Sequence, residues 1–219
     1  MLQVFLEDGE SFPLPAAAFF RSPEEWPDVE WAALEHCQGR VLDAGAGAGR
    51  HALALQDRGH EVVALEASRK AVDVMARLGV ECPRLGDIFQ FRGEAPFDTL
   101  LLLMNGLGIA GDLPGLDRFL AFAHTLVTPN GQILLDSFDP RPALDPAEKA
   151  RAAIRRSQGR DVGETIQWME YGERRSAPFP WLYVDSECLA DRAGHQLWHS
   201  QVLFEDEEGS YLARLTSLA

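Results

Sequence analysis

Three alternating glycines, Gly45, Gly47 and Gly49, stand in the stretch DAGAGAG, directly after the apolar run ending at Ala44 and before GRHALALQDRG. Glycine serves where the backbone must take positive φ or let a ligand press on the main chain. A strand-to-helix turn adds free N–H groups at the positive end of the helix dipole. Such a loop suits a nucleotide-like ligand, and two ligand classes compete for it. A dinucleotide fingerprint needs a small residue three positions beyond its second glycine. Counted from Gly45 and Gly47 that position is Arg50; counted from Gly47 and Gly49 it is Ala52, so the dinucleotide reading survives in weakened form. Asp43, two residues before the first glycine, would face a pyrophosphate unfavourably and suits a ligand carrying a cationic amine or a sulfonium.

Other side chains with chemical potential are less demanding. His51 follows the glycine loop and reads first as a helix-start histidine. His195 and His199 have helical metal-ligand spacing but fall at an expected strand start, where they do not converge with a third ligand, so no metal site is supported. There is no G-x-S-x-G elbow, which leaves a Ser-His-Asp nucleophile without support.

The elements that must position these residues alternate between apolar runs and amphipathic segments. Strands are expected over 40–45, 61–68, 81–91, 97–108 and 131–140, with helices over 49–59, 68–79 and 113–129. Ser68 is a natural N-cap, Gly59 and Gly79 are helix terminators, and Pro83 places the third strand near an edge. Strands apolar on both faces between helices imply a mostly parallel sheet covered on both sides. After Pro140 the rhythm changes: 141–160 is Arg- and Ala-rich and reads as helix, and 164–185 reads as two strands around an irregular connection. A short helix at 186–194 and two strands around an acidic, Gly-containing turn then add an antiparallel hairpin at the end of the sheet.

The chain divides accordingly, within a single domain, into a leader or lid (1–37), a ligand-binding core (38–140), an insertion that is a candidate substrate lid (141–185), and a terminal helix and hairpin (186–219). A length of 219 residues suits one domain with a sizeable core. The net charge of −14 repels polyanions and anionic membranes, so neither a nucleic acid nor a membrane is an expected partner. The basic stretch KARAAIRRSQGR, with Arg151, Arg155 and Arg156 at helical spacing, reads as a solvated helix face. Three scattered cysteines, Cys37, Cys82 and Cys188, read as reduced thiols, and the absence of an export signal or an apolar span makes the cytoplasm the default.

Taken in order, these motifs resemble the class I S-adenosylmethionine-dependent methyltransferases, whose first motif has the form [DE]-x-G-x-G-x-G, met here by Asp43, Gly45, Gly47 and Gly49. The resemblance implies a Rossmann-like α/β fold: a seven-stranded, mostly parallel sheet with an antiparallel C-terminal hairpin, helices on both faces and a small insertion after the fifth strand. It implies S-adenosyl-L-methionine as cofactor and S-adenosyl-L-homocysteine as product. Glu66 stands where the family places the ribose-binding acid, a role a dehydrogenase could also use. The stretch GDIFQF is similar to the third-strand motif, with Asp87 toward the adenine amino group and Ile88 against the ring; Ala46 and Ala67 would flank the cofactor. Met104, Asn105 and Leu107, in MNGLG, would border the sulfonium. LVTPNGQILLDSF resembles the L-x-P-G-G turn into strand five, with Asn130 replacing the first glycine.

The family's [DN]-P-P-[YF] sequence, often used on planar nitrogens of nucleic acids and proteins, is replaced here by MNGLG, which together with the acidic charge turns the expectation toward a small-molecule acceptor; a monomer or homodimer is expected. The acceptor pocket should lie above the C-terminal strand ends. Asn105 and Asp136 are the candidates for a catalytic part, though the chemistry demands no particular base, and Asp139, Trp168, Tyr171, Trp181 and Tyr183 are candidates for the acceptor. Phe19, Phe20 or Trp26 of the leader could edge the cofactor. The rival readings are an NAD(P)-dependent oxidoreductase, an aminopropyltransferase, and a protein that binds S-adenosylmethionine without turnover.

Overall fold

A computed structural model of the chain describes residues 1–93, 95–139, 150, 153, 154, 157 and 160–218. Arg151, Arg155 and Arg156 of the basic stretch, and most of the helix expected over 141–160, lie outside the described residues.

The glycine loop leaves a short buried strand, β3 (Val41–Ala44), and enters a helix, α2 (Arg50–Asp57). The alternation continues through β4 (Val62–Glu66), α3 (Arg69–Leu78), β5 (Pro83–Leu85), β6 (Phe97–Leu102), α4 (Leu113–Ala123) and β7 (Val127–Phe138). Near the C-terminus follow α5 (Ser186–His195), β11 (Trp198–Glu205) and β12 (Ser210–Ser217). These strands form a seven-stranded sheet in the order β11-β12-β7-β6-β3-β4-β5. Neighbours from β7 to β5 run parallel, whereas β12 and β11 join antiparallel. The strand order reverses between β3 and β6, and open α/β sheets bind ligands at such a switch point.

Strand periodicity divides the core between the two faces. Leu42, Leu100, Leu102, Ile133 and Leu135 pack with Phe119 and Leu120 of α4 and with Leu189 of α5. Val41, Leu101 and Leu134 point the other way, to Leu55 of α2, Met75 of α3 and the helix α1 (Asp28–His36), through Ala33 and Leu34. Successive strand residues face opposite sides, so an unbroken run such as LLLL feeds both cores at once.

Several expected boundaries shift. α4 ends at Ala123 rather than 129, and TPNG lies at the irregular start of β7, where its pairing with β6 slips register. The proline there falls where no regular ladder bond is required of it. The third strand shrinks to β5, because Asp87 caps a 3-10 turn over Ile88–Gln90, accepting from the Phe89 N–H at 2.9 Å. β6 stops at Leu102, since Met104 and Asn105 take left-handed backbone (φ 61° and 54°) before a 3-10 turn over Gly106–Ala110. His195 ends α5 rather than starting a strand, and His199 lies in β11, so the two do not share a helix face. Ser68 does cap α3, and Gly79 closes it in the left-handed conformation.

The leader is not a loose strap. Residues Leu2–Leu6 (β1) and Ser11–Leu14 (β2) form a hairpin, and β1 pairs antiparallel with β8 (Glu164–Tyr171) of the insertion. β8 also pairs with β9 (Arg174–Arg175) and β10 (Phe179–Leu182), giving three strands where two were expected. Leader and insertion thus build one second sheet, in the order β10-β8-β1-β2 with β9 beside β8.

Candidate active site

The loop from Gly45 to Gly49 is held by the strand beside it. The N–H groups of Gly45 and Ala46 donate to the Leu65 carbonyl at 2.9 and 3.0 Å, and the Gly47 N–H donates to Glu66 Oε2 at 3.0 Å. Glu66 Oε1 accepts from the Ser68 N–H at 2.8 Å, so this carboxylate is fixed at the tip of β4, facing the loop. The three glycines divide their work. Gly45 and Gly47 line a cavity, while a Cβ on Gly49 would run into Val80 and Met75, so the third glycine serves the packing of α2 on α3. All three have positive φ.

Asp43 lies buried beneath the loop at 2% exposure, and its Oδ2 has no hydrogen-bond partner among the described residues. Burial, reinforced by the Glu66 charge against the opposing His51 and Arg50, pushes its pKa up to about 6. Arg50 and His51, at the start of α2, meet Glu30 of α1 inside the protein. Arg50 Nη2 donates to both Glu30 oxygens at 2.6 Å, and His51 Nε2 lies 2.7 Å from Glu30 Oε2. Burial alone would raise the Glu30 pKa; His51 and Arg50 reverse that and hold it below the ordinary carboxylate value. Trp26 covers the cluster, its ring edge-on to His51 at 5.0 Å and under the Arg50 guanidinium at 5.3 Å.

Across the switch point, Asp136 on β7 holds the turn after β6. Its Oδ2 and Oδ1 accept from the N–H groups of Met104 and Asn105 at 3.1 and 2.7 Å. Burial raises its pKa to about 7 despite these bonds. Asn105 is tied further: its Nδ2 donates to the Leu182 carbonyl at 3.2 Å and its Oδ1 accepts from Ser137 Oγ at 3.1 Å. The Ser137 hydroxyl also accepts from the Val184 N–H, which joins this turn to the end of β10.

A cavity of about 290 Å³ runs between these parts. Gly45 to Ala48, Arg50, His51, Glu66 and the Leu103–Gly106 turn form its floor. The second sheet roofs it with Val4, Phe12 and Leu14 of the hairpin and Gln167, Met169, Trp181 and Tyr183 of the insertion; Phe19 and Ile109 close its sides. Tyr183 is held by Gln167, whose Nε2 donates to the hydroxyl at 3.2 Å.

The sequence-derived candidates separate in space. Gly45, Ala46, Gly47, Glu66, Met104, Asn105, Trp181 and Tyr183 come together on the lining, as does Phe19. Asp43 and Asp136 lie behind it, as supports of the two loops, so the position of Asp136 does not suit direct contact with a substrate. Leu107 and Ile88 are buried in the core cluster, and Gly49, Ala67 and Asp87 lie outside the lining, the last two exposed. Trp168 stacks on Phe5 at 5.6 Å with Arg175 over its ring, Tyr171 is exposed at the end of β8, and the Asp139 N–H bonds the Gly209 carbonyl; none of the three lines the cavity. A β8 side chain reaches the cavity only on alternate positions, Gln167 and Met169, which sends Trp168 to the opposite face. Sequence reasoning missed the hairpin residues and Arg50. The signal for the former was Asp8-Gly9 between the apolar runs LQVFL and SFPL, a hairpin turn pattern.

A doubly wound α/β sheet with an antiparallel end hairpin, a glycine loop at its switch point and an acid at the tip of the next strand defines a nucleoside-binding protein of Rossmann-like type. The family model "Methyltransferase domain" matches residues 42–135. An S-adenosylmethionine-dependent methyltransferase from Bacteroides fragilis, solved in complex with S-adenosyl-L-homocysteine, is 36% identical, with a TM-score of 0.88 over 100% of this chain and 88% of that one. Cypemycin N-terminal methyltransferase from a Streptomyces species is 28% identical over 177 residues, 77% of this chain. The match spans 62% of the length of that curated relative. The CcbJ methyltransferase of Streptomyces caelestis shares the fold, with a TM-score of 0.66 at 17% identity over 90% of this chain and 94% of that one.

The chain belongs to the S-adenosylmethionine-dependent methyltransferases. S-adenosyl-L-methionine is its cofactor, and the residues present fit that group: an unpartnered buried acceptor on Asp43 lies below a glycine loop lined by Glu66, where a cationic nucleoside is favoured and a pyrophosphate is not. Among the described residues no His, Cys, Asp or Glu cluster could hold a metal ion, and no helix is long and apolar enough to cross a membrane.

Proposed function

We propose that the chain transfers a methyl group in line to a small-molecule acceptor seated under the second sheet. The observation that carries this reading is the single cavity that joins the glycine loop to an apolar roof. When bound, S-adenosylmethionine supplies an activated methyl group on its sulfonium, so the protein's share is positioning and the exclusion of water.

Gly45, Gly47 and Glu66 would hold the nucleoside and its tail from the core side, with Asp43 beneath toward the amino group and Asp87 and Ile88 toward the adenine. Met104 and Asn105 would border the reacting end, and their turn is fixed from behind by Asp136. Val4, Phe12, Leu14, Ile109, Met169 and Trp181 surround an acceptor with apolar surface, and Gln167 and Tyr183 offer it polar contacts. The charge of −14 argues against a nucleic acid.

Calorimetric titration with S-adenosylmethionine, S-adenosylhomocysteine and NAD, followed by assay of S-adenosylhomocysteine release over a panel of small amines, phenols and carboxylic acids, tests the reading. Preference for NAD would support the oxidoreductase alternative. Binding of S-adenosylmethionine without acceptor-dependent release would leave a cofactor-binding protein without turnover.

A further inference from the structure

The wall above the glycine loop is built without charge. Among the described residues, the ionisable side chains on the cavity lining are Arg50, His51, Glu66 and Tyr183, and the first three stand beside the loop. Arg50 and His51 are bonded to Glu30, and Glu66 to the Gly47 and Ser68 N–H groups. On the roof the Trp181 indole nitrogen lies against Gly108, which leaves Gln167 and Tyr183 as the polar side chains set among apolar ones. Burial raises the Tyr183 pKa above its ordinary value, so the phenol stays protonated and neutral. Both side chains are held in place. Leu182 and Val184 are buried in the core, and Tyr183 between them points to the cavity. Their main chains are fastened to the turn after β6: the Leu182 carbonyl accepts from Asn105 Nδ2, and the Val184 N–H donates to Ser137 Oγ, itself bonded to Asn105 Oδ1. The Tyr183 N–H donates to the Gly163 carbonyl at 2.9 Å, and a Cβ on Gly163 would collide with the Tyr183 carbonyl, so that approach requires a glycine. Gln167 is 3% exposed, and its Nε2 donates to the Tyr183 hydroxyl at 3.2 Å. A phenol oxygen that accepts on one side has its own O–H left to donate on the other, and Gln167 Oε1 has no partner among the described residues. The pair therefore offers one donor and one acceptor, side by side, next to the Met104–Asn105 turn.

We propose that Tyr183 and Gln167 determine the class of acceptor: an uncharged molecule with an apolar body and an amide-like edge, whose carbonyl oxygen accepts from the Tyr183 hydroxyl and whose N–H donates to Gln167 Oε1. This rests on the transfer reading and names the chemistry that the same site takes. A carboxylate, phosphate or ammonium seated there loses its water and meets no opposite charge, a larger penalty than one missing neutral hydrogen bond. An apolar molecule without the edge leaves both roof groups unpaired, so the pair discriminates in both directions. Asn105 cannot share the task, because both polar atoms of its side chain are already bonded within the protein.

Three probes of similar shape measure it: benzamide, benzoate and benzylamine, an ammonium at neutral pH, titrated by ligand-observed NMR into protein saturated with S-adenosylhomocysteine. Benzamide should bind at least about tenfold more tightly than either charged probe. Tyr183→Phe, which keeps the ring, and Gln167→Met, which keeps the length, should each weaken benzamide by about three- to tenfold, the range of one neutral hydrogen bond. Both variants should bind S-adenosylhomocysteine within about twofold of wild type, which also reports an intact fold. If benzoate or benzylamine binds as well as benzamide, if no probe binds, or if either variant leaves benzamide unaffected, the proposal is wrong. Failure of the transfer reading looks different: benzamide would rank first and respond to both variants, yet no acceptor would release S-adenosylhomocysteine from S-adenosylmethionine. Efficient release with a carboxylate or ammonium acceptor has the converse meaning, keeping methyl transfer and overturning the class of acceptor.

Discussion

Glu66 does two jobs that a single substitution exposes together. Its carboxylate orders the loop through Gly47 and the start of α3 through Ser68, and it also lines the cavity, where it is proposed to hold the nucleoside. Glu66→Ala should therefore weaken S-adenosylhomocysteine binding by about 1–3 kcal/mol for the lost ligand partner, with a smaller loss of stability in urea unfolding. Asp87 is exposed and also serves as a turn cap, so the adenine contact proposed for it is shared with water and Asp87→Ala should cost less in binding than Glu66→Ala; unchanged binding would remove Asp87 from the adenine site. Asp136 offers a pH signature. Its folded pKa of about 7 lies above the unfolded value of about 3.9, so between those values the native state holds more protons and stability falls as pH rises. Asp43, pushed up to about 6, adds the same sign over a narrower window. Asp136→Asn keeps an acceptor on the turn and removes the titration. Its urea unfolding free energy should show a shallower decline from about pH 4 to 7 than wild type, and parallel profiles would mean that the carboxylate stays ionised in the fold.

At the scale of elements, the turn over Gly106–Ala110 and the strand β10 approach so closely that a Cβ on Gly108 would overlap the Trp181 indole. Gly108→Ala must push Trp181 into the cavity or lift β10 from the core. Such overpacking costs about 1–3 kcal/mol, and it should appear as a tenfold or greater fall in acceptor-dependent turnover. Cofactor affinity, set on the floor, should stay within about threefold; a large loss there instead would place Trp181 against the cofactor. The same contact shows where sequence reasoning stops. The parallel core was legible because each apolar run carries its own period and each helix its own cap, Ser68 and Gly79 among them. The floor of the site was legible for the same reason, since Asp43, Gly45, Gly47 and Glu66 lie within one strand-loop-helix-strand unit. The roof was not. Val4 meets Met169 only because β1 and β8 pair across more than 150 residues, and nothing local in either segment specifies its partner. Trp168 illustrates the cost: its type suited an aromatic pocket, but the pleat, invisible until the pairing is known, turned it to the stack with Phe5.

For the whole molecule, the question is whether floor and roof are separable. Both helical cores on the large sheet begin, in chain order, at Trp26 or later, and none of their buried members comes from the first fifteen residues. Those residues instead place Val4, Phe12 and Leu14 on the cavity and keep β8 paired on its β1 side. Deletion of residues 1–15 should therefore leave a chain that still unfolds cooperatively and binds S-adenosylhomocysteine within about tenfold of wild type, because the cofactor contacts proposed above belong to the core. Methyl transfer should be lost, since the acceptor space opens to water and three apolar walls disappear. The exposed edge of β8 should also raise the tendency to self-associate, read by light scattering at increasing concentration. Loss of cooperative unfolding, or of nucleoside binding altogether, would show instead that the two sheets form one folding and binding unit. The hairpin would then belong to the cofactor site as much as to the acceptor's.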